Sequence, residues 1–142
     1  MFALFAVNML VVMLTVAIHY EFLYWMTRLL PKLNIVHRAR IVFGVAGGLL
    51  AHSVEVWVFG VAYYVKINTP GWGQLHGEYF DGSLLDCVYF SFTVFTTLGF
   101  GDIFPAGDLR YLIGIESLTG LVLITWTASF LYYEMQRSWS SR

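Results

Sequence analysis

The sequence predicts an all-α membrane protein with three transmembrane helices, and with a short re-entrant helix and a loop between the second and the third. Hydrophobic residues make up 58% of the 142 residues and charged residues only 12%, about half of the globular norm. The mean hydropathy is +0.69. Three apolar runs are long enough to cross a bilayer, which takes about 20 residues each. A shorter apolar run ends in a segment that contains two glycines, and this run is predicted to form the re-entrant helix and the loop.

Net charge and cysteine content narrow the range of partners and structural features that the protein can have. The net charge is −1 at pH 7, so no nucleic-acid partner is expected. The single cysteine, Cys87, excludes an internal disulfide bond. Once the apolar runs are counted, no separate soluble domain is expected.

The first apolar segment runs from Met1 to about Leu30, and Pro31 ends the helix. It lacks a basic n-region and an A-x-A cleavage site, so a retained helix is expected rather than a signal peptide. The second segment runs from Ile41 to about Val65 and the third from Tyr111 to about Tyr133. Both can span a membrane with some tilt.

Basic residues are distributed unevenly between the connections. The first connection and the C-terminal tail carry Arg28, Lys32, Arg38, Arg40, Arg137 and Arg142. The connection between the second and third spans carries Lys66 and Arg110, beside several acidic residues. The positive-inside rule therefore predicts a cytoplasmic first connection and C-terminus. The N-terminus and the re-entrant segment then face outward.

A short helix is predicted inside that second connection. Residues 68–82 are rich in glycine and polar residues and are predicted to form an exposed outer loop. Ser83 and Asp86 resemble a capping box, and a helix from Leu84 to about Thr96 is too short to span. It is therefore interpreted as re-entrant, the alternative being an amphipathic helix lying on the outer surface.

The segment Thr96–Asp102, called here the glycine loop, carries glycine at positions 99 and 101. Glycine takes positive φ without a Cβ penalty, so an alternating backbone can turn successive carbonyls to one side. Four such segments around an axis would stack rings of oxygens that replace the hydration shell of a cation.

The run Thr97-Leu98-Gly99-Phe100-Gly101-Asp102 resembles the selectivity-filter signature T-V-G-Y-G-D of the potassium-channel superfamily. The resemblance covers roughly Ile41 to Tyr133. It implies a minimal bacterial potassium channel of the two-transmembrane pore type with one extra helix. Residues 1–40 would form the N-terminal helix and a cytoplasmic loop, and residues 41–142 the pore domain. The implied partners are K⁺, membrane lipid and three further copies in a homotetramer of the inner membrane, with no cofactor beyond permeant K⁺.

The same resemblance implies residue roles. The backbone carbonyls of four residues would bind K⁺: Thr97, Leu98, Gly99 and Phe100. The Thr97 hydroxyl would add the innermost ring, Gly101 would permit the outward turn, and Asp102 would anchor the outer mouth. Phe92, Thr93 and Thr96 would support the filter. Leu98 replaces the usual valine and loosens a β-branched restraint, and Phe100 replaces the usual tyrosine and lacks its hydroxyl.

Ionisable residues within the apolar segments are the least expected feature. His52 and Glu55 lie three residues apart in the second span, and Glu116 lies in the third. Charges at such depth are costly and face protein or water. We expect His52 and Glu55 to form a buried pair that braces the outer helix against the inner one, with Glu116 as a further partner. A proton-sensing gate is the alternative. Gly120 is interpreted either as a gating hinge or as a helix-packing residue.

Three other functions remain open. A weakly selective monovalent cation channel would use the same loop, and a pore-shaped subunit could serve as a non-conducting scaffold. An intramembrane metalloenzyme could be assembled from His19, Glu21, His37, His52, Glu55 and Glu116. The chain has no H-E-x-x-H or paired E-x-x-H motif, so an enzyme is not expected.

Overall fold

A computed structural model describes residues 2–32 and 37–140 as four α-helices joined by short connections. The long helices are α1 (Phe2–Leu29), α2 (His37–Ile67) and α4 (Leu109–Ser140), and the short one is α3 (Leu84–Phe95). A 3₁₀ turn at Leu30–Lys32 follows α1. Two strands, β1 (Gln74–Gly77) and β2 (Ile103–Ala106), flank α3 and the glycine loop.

Three of the helices are long and apolar enough to cross a membrane, as predicted: Ala3–Lys32, Ala39–Ile67 and Leu109–Arg137. The structure extends α2 and α4 beyond the predicted ends, to His37 and Ser140. Hydropathy marks only the part of a helix that suits lipid. The helices continue past it because residues such as Glu134 and Gln136 are good helix formers.

Helix α1 packs on the other two long helices along one stripe. Its buried positions recur every three or four residues, as expected for one helix face: Asn8, Val11, Thr15, His19, Leu23 and Met26. The ring of Phe5 lies 6.0 Å from that of Tyr111 at the start of α4. The N-terminal end of α1 is therefore at the end of the bundle where the glycine loop lies.

Helix α2 is the central element and contacts every other helix through glycines. A Cβ added at three of them would meet a different neighbour each time, at 2.8, 2.9 and 2.6 Å: Gly48 against Thr127 of α4, Gly47 against Met26 of α1, and Gly60 against Val88 of α3. Small residues allow this close approach of helices in a membrane. Helix α3 is thereby held against the middle of the bundle rather than on its surface.

Residues 68–82, predicted to form an exposed outer loop, contain a short strand that the sequence did not predict. Strand β1 lies inside this range and pairs antiparallel with β2, from Gln74 opposite Ala106 to Gly77 opposite Ile103. Each strand has four residues, too few to show a period in the sequence. Pro105 is tolerated because both strands of a two-stranded sheet are edge strands.

The predicted N-terminal cap of α3 forms, but one of its two expected hydrogen bonds has a different acceptor. The Ser83 hydroxyl accepts a hydrogen bond from the Asp86 backbone N–H at 3.2 Å. In a capping box the Asp86 carboxylate would accept from the Ser83 N–H. That N–H instead donates to Asp81 at 2.7 Å, which lowers the pKa of the Asp81 carboxyl. Asp86 accepts from the Asp81 backbone N–H at 2.9 Å.

Candidate functional site

The glycine loop begins where α3 ends. Seven of the twelve residues of α3 are buried: Cys87, Val88, Phe90, Ser91, Thr93, Val94 and Phe95. Thr96 caps the C-terminus, with its N–H donating to the Phe92 carbonyl at 3.2 Å and its hydroxyl at 2.6 Å. The re-entrant helix therefore delivers the chain to the loop from within the protein, where non-helical backbone is tolerated at membrane depth.

The loop backbone alternates in handedness. Positive φ angles occur at every second residue: 60° at Thr97, 51° at Gly99 and 81° at Gly101. Two hydrogen bonds hold the first half of the loop to α3, from the Thr97 N–H to Val94 O at 2.9 Å and from the Gly99 N–H to Thr93 O at 3.0 Å. The glycine pattern marks positions 99 and 101. It does not mark Thr97, the one non-glycine residue with positive φ in the described chain.

Positive φ disfavours a residue with a Cβ, so Thr97 is held in a strained conformation. Such strain persists only where surrounding structure fixes it. Here the hydrogen bond from its N–H to Val94 O supplies that restraint directly behind the loop.

One face of the glycine loop is open in the single chain. The side chains of Leu98 and Phe100 are 64% and 66% exposed. A Cβ added at Gly99 or Gly101 would meet nothing within 4 Å. A cleft of about 270 Å³ adjoins the loop and is lined by Thr93, Thr97, Gly99 and Gly101 together with residues of α4 and β2.

Asp102 connects the C-terminal end of the loop to α3. Its carboxylate accepts a hydrogen bond from the Tyr89 hydroxyl at 2.8 Å. This acceptor raises the pKa of Tyr89, because the phenol would lose the bond on ionising. Gly77 of β1 approaches the same residue so closely that an added Cβ would lie 2.5 Å from the Asp102 carbonyl oxygen. The sheet and α3 therefore both restrain Asp102.

Glu116 lies in a cluster that joins three helices behind α3. Its fully buried carboxyl group contacts the hydroxyls of Tyr63 from α2 and Ser91 from α3. Ser91 Oγ is also 3.0 Å from the Val56 carbonyl oxygen. A serine hydroxyl has one proton to donate. Both Ser91 contacts are hydrogen bonds together only when Glu116 is protonated and donates to Ser91.

His52 and Glu55 are hydrogen-bonded to each other, with 2.8 Å between His52 Nδ1 and Glu55 Oε2. The expectation that Glu116 joins this pair is wrong, because Glu116 belongs to the Tyr63 cluster. The second partner of Glu55 is His19 of α1, whose Nδ1 lies 2.8 Å from Oε1. The pair therefore braces α2 against α1 rather than against α4. His19 and Glu55 are 36 positions apart in the sequence. The sequence alone marks His19 as a polar residue on an apolar helix and does not indicate its partner.

The six residues considered for a metalloenzyme do not assemble into one site. His19, His52 and Glu55 offer ligand atoms within 4.8 Å of one another. Glu116 lies in its own cluster and Glu21 is exposed. The side chain of His37 is outside the part of the chain that the structure describes in full.

Gly120 packs directly on the end of α3. A Cβ at this position would overlap the carbonyl oxygen of Phe95, the last residue of the helix. Ser117, one turn earlier in α4, donates to Val94 O at 3.3 Å. These contacts favour the packing interpretation of Gly120, because they place it directly against the end of the helix that precedes the glycine loop.

Three membrane-spanning helices around a re-entrant helix and an alternating loop define a multi-pass membrane protein of the pore-loop class. A family model described as ion channel matches residues 51–137, more than half of the chain. The chain belongs to this ion channel family, with a pore domain of the two-transmembrane potassium-channel type. The match begins within α2 and ends within α4, so α1 lies outside it. Comparisons with curated proteins and with solved structures gave no match.

The contact between α4 and α3 gives a first prediction. Gly120→Ala should lower the free energy of unfolding by about 1–3 kcal/mol, because the added methyl overlaps backbone that cannot rotate away. The midpoint of thermal unfolding in detergent measures this. Gly114→Ala in the same helix is the control, since a Cβ there meets nothing within 4 Å. Equal losses for both variants would contradict the packing role.

The Glu116 cluster gives a second prediction. Glu116→Gln should keep stability close to that of the parent, because its amide can donate to Ser91 and accept from Tyr63 as a protonated carboxyl does. Glu116→Ala should cost about 1–3 kcal/mol, because it leaves buried hydroxyls unsatisfied. Denaturation in the same detergent measures both. If Glu116→Gln were as unstable as Glu116→Ala, the carboxyl would have to be anionic.

Proposed function

We propose that this protein is a potassium-selective channel that conducts K⁺ passively through a four-fold filter built from Thr97–Gly101. The observation that carries the proposal is the alternation of positive φ at residues 97, 99 and 101 in a loop that follows a re-entrant helix. Alternating handedness turns successive peptide carbonyls toward one side. Glycine allows the positive φ without a steric penalty at two of the three positions.

The chemistry of the proposed filter is ion coordination by peptide oxygens. In four copies, the carbonyls of Thr97, Leu98, Gly99 and Phe100 would form stacked rings that replace water around K⁺, with the Thr97 hydroxyl as the inner ring. The C-terminal end of α3 points its partial negative charge toward the start of the loop, which favours a cation there. Repulsion between ions in file keeps the binding weak enough for release.

Exposure of the loop supports a homotetramer. One chain supplies one loop, and the apolar side chains of Leu98 and Phe100 are left about two-thirds exposed at its surface. Non-helical backbone at membrane depth is tolerated where protein or a wet cavity covers it. Neighbouring copies around a four-fold axis would cover the side chains and leave the carbonyl rings facing water and ions.

The proposed orientation places the glycine loop and the N-terminus outside and the C-terminus in the cytoplasm of a bacterium, within the inner membrane. The excess of basic residues in the first connection and the C-terminal tail supports this orientation of the helices. Residues 41–142 would act as the pore domain, and residues 1–40 would add a peripheral helix. That helix contacts α2 and α4 through its buried stripe.

The test is flux from proteoliposomes that contain the purified full chain, with K⁺ or Na⁺ as the permeant ion. The parent should pass K⁺ at a rate well above Na⁺. Gly99→Ala should abolish selective K⁺ flux, because alanine resists the φ of 51° required there. Comparable rates for the two ions in the parent would instead support the weakly selective channel, and no flux at all the scaffold.

Gly82→Ala is the matched control. Gly82 has a φ of 78° and open space around its Cβ position, as Gly99 has, but it lies before α3 rather than in the loop. Both variants therefore carry a similar local strain, of about 1 kcal/mol. Loss of flux in Gly82→Ala to the same degree would show that general instability, not the filter, explains the Gly99→Ala result.

A further inference from the structure

A cluster of three side chains joins α1 to α2 in the middle of the bundle. His19 Nδ1 and His52 Nδ1 each lie 2.8 Å from a different oxygen of Glu55. The two imidazole rings are stacked with 5.5 Å between their centroids. One potential ligand atom from each residue lies within 4.8 Å of the other two. Two imidazoles and one carboxylate therefore lie close enough together to share one ion.

The hydrogen bonds within the cluster do not satisfy all of its polar atoms. His19 is fully buried, and its Nε2 has no hydrogen-bond partner among the described residues. A buried polar atom without a partner destabilises the fold, because it has lost its hydrogen bonds to water. Either ring nitrogen of His19 can ligate a metal ion through its lone pair, and Nε2 has no hydrogen bond to give up for this.

The charges around Glu55 are equally suited to a cation. Its side chain is fully buried, and its ion pairs in the described chain are with His19 and His52. A divalent cation at this point would offset the buried carboxylate without depending on protonation of either ring.

We propose that His19, His52 and Glu55 bind one divalent transition-metal ion of the Zn²⁺ class. Zn²⁺ takes nitrogen and oxygen ligands at about 2.0–2.2 Å, and two histidines with one carboxylate are an established ligand set for it. Tetrahedral ligands then lie roughly 3.3 Å apart. This lies between the 2.8 Å of the present nitrogen-to-oxygen contacts and the 4.8 Å that bounds the cluster, so small side-chain rotations suffice. The fourth position stays open to water.

The cluster reaches the surface of the single chain at one of its three residues. The side chain of His52 is 17% exposed, whereas those of His19 and Glu55 are fully buried. The His52 ring lies 5.8 Å from that of Phe95, the last residue of α3. The His19 ring lies 5.2 Å from Trp126 of α4. A bound ion would therefore cross-link α1 to α2 beside the residue that leads into the glycine loop.

The site does not depend on the proposed conduction. His19 lies outside the matched family region of residues 51–137, and metal binding can be measured on protein that carries no current. A failure of the K⁺ flux experiment would leave this proposal standing, and the reverse is also true.

The experiment measures bound metal on the full chain, purified in detergent without a polyhistidine tag and stripped with chelator. After incubation with Zn²⁺ and desalting, mass spectrometry of the metal should find about one Zn²⁺ per chain, as for a single three-ligand site. His52→Gln should weaken binding at least tenfold, because it removes a ligand. Zn²⁺ should also raise the midpoint of thermal unfolding of the parent but not of His52→Gln.

His76→Gln is the matched control, because His76 is an exposed histidine on β1, outside the cluster. It should bind Zn²⁺ as the parent does. Equal binding by His52→Gln and His76→Gln, or substoichiometric binding by the parent, would overturn the proposal. If His52→Gln does not fold, Co²⁺ added to the parent decides: intense visible absorption of a four-coordinate ion supports the site, and its absence refutes it.

Discussion

Backbone polar groups set the central constraint on this molecule. The peptide groups of the glycine loop cannot pair with themselves as those of a helix do, yet they follow a helix that is buried in protein. Leaving such groups without partners in an apolar environment costs several kcal/mol each. The loop can therefore exist only where α3 and its neighbours fix it and where water, ions or other copies of the chain meet its carbonyls.

The rest of the fold holds the glycine loop in place at both of its ends. Behind the loop, Gly120 lets α4 approach the backbone of Phe95, and the Glu116 cluster joins α2, α3 and α4 through hydroxyl groups. At the C-terminal end of the loop, the hydrogen bond between Tyr89 and Asp102 holds the loop against α3. Strand β2, which follows the loop directly, is paired with β1. The strained φ of Thr97 is thus held between two rigid ends.

Local patterns in the sequence predicted most of this architecture. Hydropathy located the three spans, and Ser83 located the start of α3, because both signals depend on neighbouring residues alone. The two strands were missed because four residues show no periodicity, and the positive φ of Thr97 because no glycine marks it. The expected pair of His52 and Glu55 forms, but its further partner is His19 and not Glu116. Such pairing depends on how helices pack, which spacing along one helix does not reveal.

The most direct measurement of the central claim is a pair of cryo-electron-microscopy maps of the purified assembly, one in K⁺ and one in Na⁺. The account predicts four chains around one axis, with the carbonyl oxygens of Thr97, Leu98, Gly99 and Phe100 facing it. In K⁺ it predicts a file of density peaks between successive oxygen rings. An assembly without a shared four-fold axis, or one in which those oxygens face away from it, would contradict the account.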